Sequence, residues 1–127
     1  MYEVRVEHTS EMQFITQSNH HVVTIDAKGE KALTPPAMLL GALGSCIGVY
    51  IRKYTKNTQL DLKNFVITVT AEFSAEKPVH FKTINVSIDF KDAVLDEKRK
   101  ESIMRFIKNC PVHNTLAQKP EIVFSLS

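Results

Sequence analysis

This chain of 127 residues lacks any strong imbalance of charge: 16 Lys and Arg face 14 Asp and Glu, a net charge of +2 spread along its length. So flat a distribution offers no electrostatic footprint for nucleic acid or for an anionic membrane surface. The densest cluster, Asp96-Glu97-Lys98-Arg99-Lys100-Glu101, is mixed in sign and reads as a solvated helix face. Cysteine is scarce too, present only as Cys46 and Cys110. Two cysteines in a reducing compartment do not make a disulfide framework, and they are too few for a cysteine-built zinc site. With His113 they would supply three ligands of no recognisable spacing, so no metal and no cofactor is expected. Redox chemistry, or plain burial as small hydrophobes, remains.

An apolar leader is also missing. Met1-Tyr2-Glu3-Val4-Arg5 carries charge where a secretory signal needs its hydrophobic stretch, which predicts a cytoplasmic protein. Charge is absent from Ala32 to Ile51, but Pro35 and Pro36 stand near the start of that stretch and Gly41, Gly44 and Gly48 interrupt it. Its helical part is about 15 residues, short of the ~20 that cross a bilayer, so a buried core helix is expected and no membrane. Repeats, linkers and low-complexity segments are absent. With 43% hydrophobic and 24% charged residues, the chain fits one domain, residues 1–127, able to bury a real core.

Periodicity supplies the elements. Tyr2, Val4, Val6 and His8 alternate with Glu3, Arg5 and Glu7; a polar turn leads into Met12 to Ile15, and His21 to Ile25 makes a third strand. A three-stranded meander is expected. Thr34 can cap, and Pro35-Pro36 can open, a helix running to about Tyr54. On it Leu39, Ala42, Leu43, Cys46, Val49 and Tyr50 form an apolar face, and Gly41, Gly44, Ser45 and Gly48 a face almost without bulk. Glycine in a helix costs roughly 1 kcal/mol against alanine, so this second face is expected to let another backbone come close. Phe65 to Phe73 and Phe81 to Phe90 alternate around a turn at Ser74–Pro78, which predicts an antiparallel hairpin. A second helix points Ile103, Phe106 and Ile107 inward and ends at Asn109-Cys110-Pro111. Pro111 breaks it and starts a short helix through Leu116 with Cys110 near its N-cap, and Ile122 to Leu126 is expected as a closing strand. Helices segregated from antiparallel sheets make an α+β fold.

The thiolate, not the thiol, is the nucleophile, and a helix N-terminus or a nearby cation favours it. Cys110 has the first if Pro111 opens a helix. Cys46 lies mid-helix among apolar neighbours and needs a partner that favours the anion. The segments Thr34-Pro35-Pro36-Ala37-Met38-Leu39-Leu40-Gly41-Ala42-Leu43-Gly44-Ser45-Cys46 and Asn109-Cys110-Pro111-Val112-His113-Asn114-Thr115-Leu116 resemble, in order and context, the two cysteine motifs of the OsmC/Ohr family, the osmotically induced protein C and organic hydroperoxide resistance proteins.

The resemblance covers nearly the whole chain. It implies an intertwined homodimer with antiparallel sheets around two central motif-bearing helices. It also implies a thiol-dependent peroxidase in which Cys46 attacks the O–O bond of an organic hydroperoxide and Cys110 resolves the resulting sulfenic acid. A dithiol, supplied in the peroxidase branch by lipoyl-bearing proteins, then reduces the disulfide, and Leu39, Leu43, Phe106 and Ile107 are expected to line the apolar pocket. The match departs in one respect. Peroxidase members carry an arginine from the early strands and a glutamate at the start of the first motif helix. Here Pro36-Ala37 takes the glutamate's place, and residues 6 to 51 contain no arginine. Arg5 lies just outside, where a surface role is the simpler reading, and His113, one turn after Cys110, can hydrogen-bond a sulfur or stay solvated. The departure keeps a second function open: a non-peroxidatic OsmC-like redox-sensing or small-ligand-binding protein.

Overall fold

The structure is a computed structural model that describes residues Met1–Ser127. The chain packs as two compact units, Met1–Leu40 and Gly41–Ser127.

The first unit is the expected meander. Strands β1 (Arg5–Ser10), β2 (Gln13–Ser18) and β3 (His21–Asp26) form one antiparallel sheet in sequence order. Glu11 (φ 51°) and Asn19 (φ 56°) adopt the left-handed conformation at the two turns. Register places Val6 opposite Thr16 and Thr16 opposite Val23, and His8 opposite Phe14 and Phe14 opposite Ile25, so these side chains share one face. Only Ile25 and Asp26 of the three strands are buried. After β3 the backbone is clamped by Asp26, whose carboxylate accepts the N–H groups of Lys28 and Lys31, each at 3.0 Å. Ile25 then bridges to Leu33.

Helix α1 (Pro35–Thr58) starts where the sequence signals it, with Thr34 Oγ1 accepting the Ala37 N–H at 3.2 Å. It runs 24 residues, past the expected end, because Ile51, Tyr54 and Thr55 have a core to enter. By length and composition it could cross a bilayer, a property that core helices share. The buried stripe is Leu43, Ile47, Ile51 and Tyr54, rotated from the apolar face that periodicity suggests. Leu39 and Val49, expected inward, are 40% and 51% exposed.

In the second unit β4 (Val66–Phe73) and β5 (Phe81–Asp89) pair antiparallel. Ile67 faces Ile88, Val69 faces Val86 and Ala71 faces Ile84, which gathers the apolar side chains on one face. This face meets α1 at its glycines: a Cβ on Gly44 would lie 3.1 Å from Val69 Cγ2, and one on Gly48 would lie 3.4 Å from Ile67 Cδ1. At Gly44 and Gly48 the bare helix face therefore admits sheet side chains, while Gly41 faces open space. Helix α2 (Glu97–Ile107) is capped by Asp96, which accepts the Arg99 N–H at 2.7 Å. It contributes Ile103 and Ile107 to the core that Leu43, Ile47, Ile51, Tyr54, Leu62 and Cys110 complete. Ile51 and Ile103, 0% and 1% exposed, each stabilise the fold by roughly 1.5–3 kcal/mol. Helix α3 (Pro111–Gln118) follows, with proline at its start and Cys110 as N-cap.

The expected closing strand does not form. Residues 119–127 have no regular structure, and Ile122, Val123, Phe124 and Leu126 are 72% to 100% exposed. A strand needs a neighbour to accept its ladder hydrogen bonds, and within one chain this segment has none.

Candidate thiol site

Both cysteines lie in the second unit, as free thiols. Cys46 is half-buried on α1, one turn before Tyr50 and two before Tyr54. Cys46, Tyr50 and Phe106 pack against the core cluster. The Phe106 ring lies 6.1 Å from the Tyr50 ring and 5.6 Å, edge-on, from that of Tyr54. Cys110 is fully buried. Pro111 fixes the first turn of α3, so the Cys110 carbonyl accepts the Asn114 N–H at 3.0 Å and its Sγ accepts the His113 N–H at 3.4 Å.

The two cysteines are near neighbours. Burial pushes the Cys110 thiol up, and the neighbouring Cys46 raises it further; the N–H groups of His113 and Val112 pull the other way without cancelling the rise. Cys110 is therefore harder to ionise than an exposed thiol. The N-cap position was legible from Pro111, but its usual effect on a thiol is overridden here by desolvation.

The other expected participants are placed less centrally. The His113 imidazole Nδ1 meets Asn114 Oδ1 at 3.0 Å, so its contact with sulfur is through the backbone. Arg5 forms an ion pair with Glu7 at 2.9 Å, both side chains mostly exposed. Of the residues expected to line an apolar pocket, Leu43 and Ile107 belong to the buried core, Phe106 packs on the two tyrosines, and Leu39 is exposed. No group of three or more His, Cys, Asp or Glu side chains is gathered to hold a metal ion.

A polar cluster beside the site carries no sequence signal, because its members come from different helices. The buried Tyr54 hydroxyl accepts from Arg99 Nη1 at 3.4 Å. Burial raises the phenol, yet hydrogen bonds from Ser102 and Arg99 and the charges of Arg99 and Arg105 outweigh it and leave Tyr54 below its ordinary value.

The family model for OsmC-like proteins matches residues 27–125, which include both cysteines. This chain belongs to the OsmC-like protein family. An OsmC-like protein from Mycoplasma pneumoniae superposes with a TM-score of 0.81 at 20% identity, over 94% of this chain and 89% of that one. An OsmC-like hydroperoxide resistance protein from Jannaschia sp. CCS1 gives 0.64 at 15% identity, over 98% and 90%. An organic hydroperoxide resistance protein OsmC from Legionella pneumophila gives 0.64 at 14% identity, over 91% and 90%. At these identities the likeness establishes the shared α+β fold. No curated protein matches the chain. This OsmC-like chain has cysteines at 46 and 110 and no arginine between residues 6 and 51.

Proposed function

We propose that this OsmC-like protein is a thiol-dependent peroxidase that reduces organic hydroperoxides through Cys46 and Cys110. The observation that carries the reading is the pairing of two free thiols, one half-buried on α1 and the other sealed at the N-cap of α3. Cys110 is sealed from solvent while Cys46 is half-buried, which favours Cys46 for the first encounter with peroxide. The Cys46 thiolate attacks the distal oxygen of ROOH; the O–O bond breaks, the sulfur is oxidised to sulfenic acid, and the alkoxide takes a proton to leave as ROH. Cys110 then displaces the sulfenic hydroxyl, which takes up the Cys110 proton and leaves as water as the disulfide forms. A dithiol such as a lipoyl group returns both thiols by exchange.

The same reading makes the protein a cytoplasmic homodimer. Val6 and Val23 on one face of the meander are 57% and 42% exposed, and the tail from Ile122 to Leu126 is apolar and uncovered, which supports a partner surface. Sedimentation of the full chain tests the assembly.

The absent arginine favours the second reading, a redox sensor or ligand-binding protein with little turnover: Arg5 is occupied by Glu7 at the surface. One experiment separates the two. Reduced protein is mixed with cumene hydroperoxide or hydrogen peroxide beside a Cys46→Ser variant, and loss of thiols is followed. Rapid loss in the wild type alone supports the peroxidase, whereas a rate no faster than glutathione's removes it.

A further inference from the structure

A trough of about 550 Å³ lies on the second unit, between α1, β5 and α3. That volume falls in the range of ~300–1,000 Å³ typical of small-molecule sites. Its apolar part comes from Leu43 and Ile47 of α1, Ile84 and Val86 of β5, and Leu116 of α3. The sheet contribution follows from register, since Ile84 and Val86 share the inward face of the hairpin. Val86 and Leu116 remain 37% and 38% exposed, so the apolar lining reaches solvent. Neither cysteine lines this trough.

Its charged lining has one sign: Lys82 and Lys119 border the trough beside His80 and His113, and no carboxylate lines it. Lys119 has no ion-pair partner. Lys82 pairs with Glu76 on the same hairpin, but both side chains are more than half exposed, and such a pair holds its charges only weakly. His80 is oriented by its Nδ1–H, which donates to the Pro78 carbonyl at 2.6 Å.

We propose that this trough binds an anionic amphiphile, a single-chain carboxylate whose tail covers the apolar lining and whose head group meets the cationic border. The charge complementarity sets the class: a neutral chain leaves Lys119 without a counter-ion, and a cationic one is repelled by both lysines. The site is separate from the thiol pair and does not depend on the peroxidase reading.

The test is binding of octanoate, decanoate and 1-octanol to the full chain, below their micelle concentrations, by calorimetry and by amide-shift mapping. Saturable binding of one decanoate per chain is expected. Decanoate should bind roughly fifteenfold tighter than octanoate, since each buried methylene contributes about fourfold, and 1-octanol should bind more weakly than octanoate. Lys119→Gln should weaken decanoate roughly threefold or more, and Ala117→Trp, at an exposed position, should fill the trough and abolish binding without removing core. Cys46→Ser should leave binding unchanged, whatever it does to peroxide chemistry. Shifts should centre on residues 80–86 and 113–119. Equal binding of octanoate and 1-octanol, absence of saturable binding, or shifts confined to the meander or the C-terminal tail would each overturn the proposal. So would a dimer whose trough amides are covered by the second copy.

Discussion

The Sγ of Cys110 accepts the backbone N–H of His113 at 3.4 Å at the opening of α3, yet the thiol is harder to ionise than a free one, because burial and the neighbouring Cys46 sulfur outweigh that bond. A helix N-terminus alone is thus a poor guide to thiol reactivity when the sulfur is fully desolvated. The pH profile of Cys110 alkylation is the direct check. Its midpoint should lie above the ordinary thiol value of about 8.5, and Cys46→Ala, which removes the neighbouring sulfur, should lower it. The stability consequence has a definite sign. A raised folded-state pKa contributes stability that is present below about pH 8.5 and lost as pH rises toward the folded value. Thermal melts of the reduced protein should therefore fall more steeply on the alkaline side than those of Cys110→Ala.

Two glycines on one helix should respond in opposite directions. Nothing lies within 4 Å of a Cβ built on Gly41, whereas one on Gly44 meets Val69 Cγ2 at 3.1 Å. Gly41→Ala should stabilise by roughly 1 kcal/mol, the helix-propensity gain. At Gly44 the same gain is opposed by overpacking of about 1–3 kcal/mol. Val69 is β-branched, stiff at χ1 and held opposite Val86 in the hairpin, so it yields poorly. Gly44→Ala should be net destabilising in urea titrations, and Gly44→Val more so.

Asp26 makes the turn after β3 sensitive to acid. The Lys31 and Lys28 N–H groups hold its carboxyl below the usual value. A depressed folded pKa contributes stability that is present above the unfolded value, about 3.9, and lost as pH falls through the folded one. Asp26→Asn keeps one acceptor oxygen and loses the charge. It should melt below the wild type at neutral pH, and the gap should close on acidification; a gap independent of pH would remove the carboxylate from the argument.

Local patterns were legible where one neighbour decides them. The hairpin of β4 and β5 follows from alternation around a turn, and the Thr34 cap and the Cys110 N-cap follow from adjacent prolines. The buried stripe of α1 was not legible, because the helix is apolar on more than one side and the choice between Leu39 or Val49 and Ile47 or Ile51 depends on where the hairpin and α2 pack. The strand expected from Ile122 to Leu126 failed for a related reason: alternation supplies side chains but no ladder partner. The two cysteines were found through their motifs. The raised Cys110 thiol, and the trough lined by residues from three elements, depend on spatial neighbours far apart in sequence.

The division of labour between the cysteines predicts an asymmetric pair of variants. Cys46→Ser removes the sulfur assigned to attack, so its loss of activity should appear in the first encounter with peroxide. Cys110→Ser leaves that step in place but cannot resolve it, because a serine hydroxyl does not displace a sulfenic acid. One equivalent of cumene hydroperoxide should convert it to a species one oxygen heavier, which dimedone traps as an adduct at Cys46. Turnover with a dithiol should fall to the rate at which the external thiol reaches the half-buried Cys46. If Cys110→Ser gives no sulfenic acid while Cys46→Ser does, the roles are reversed and the buried thiol, despite its raised pKa, is the nucleophile.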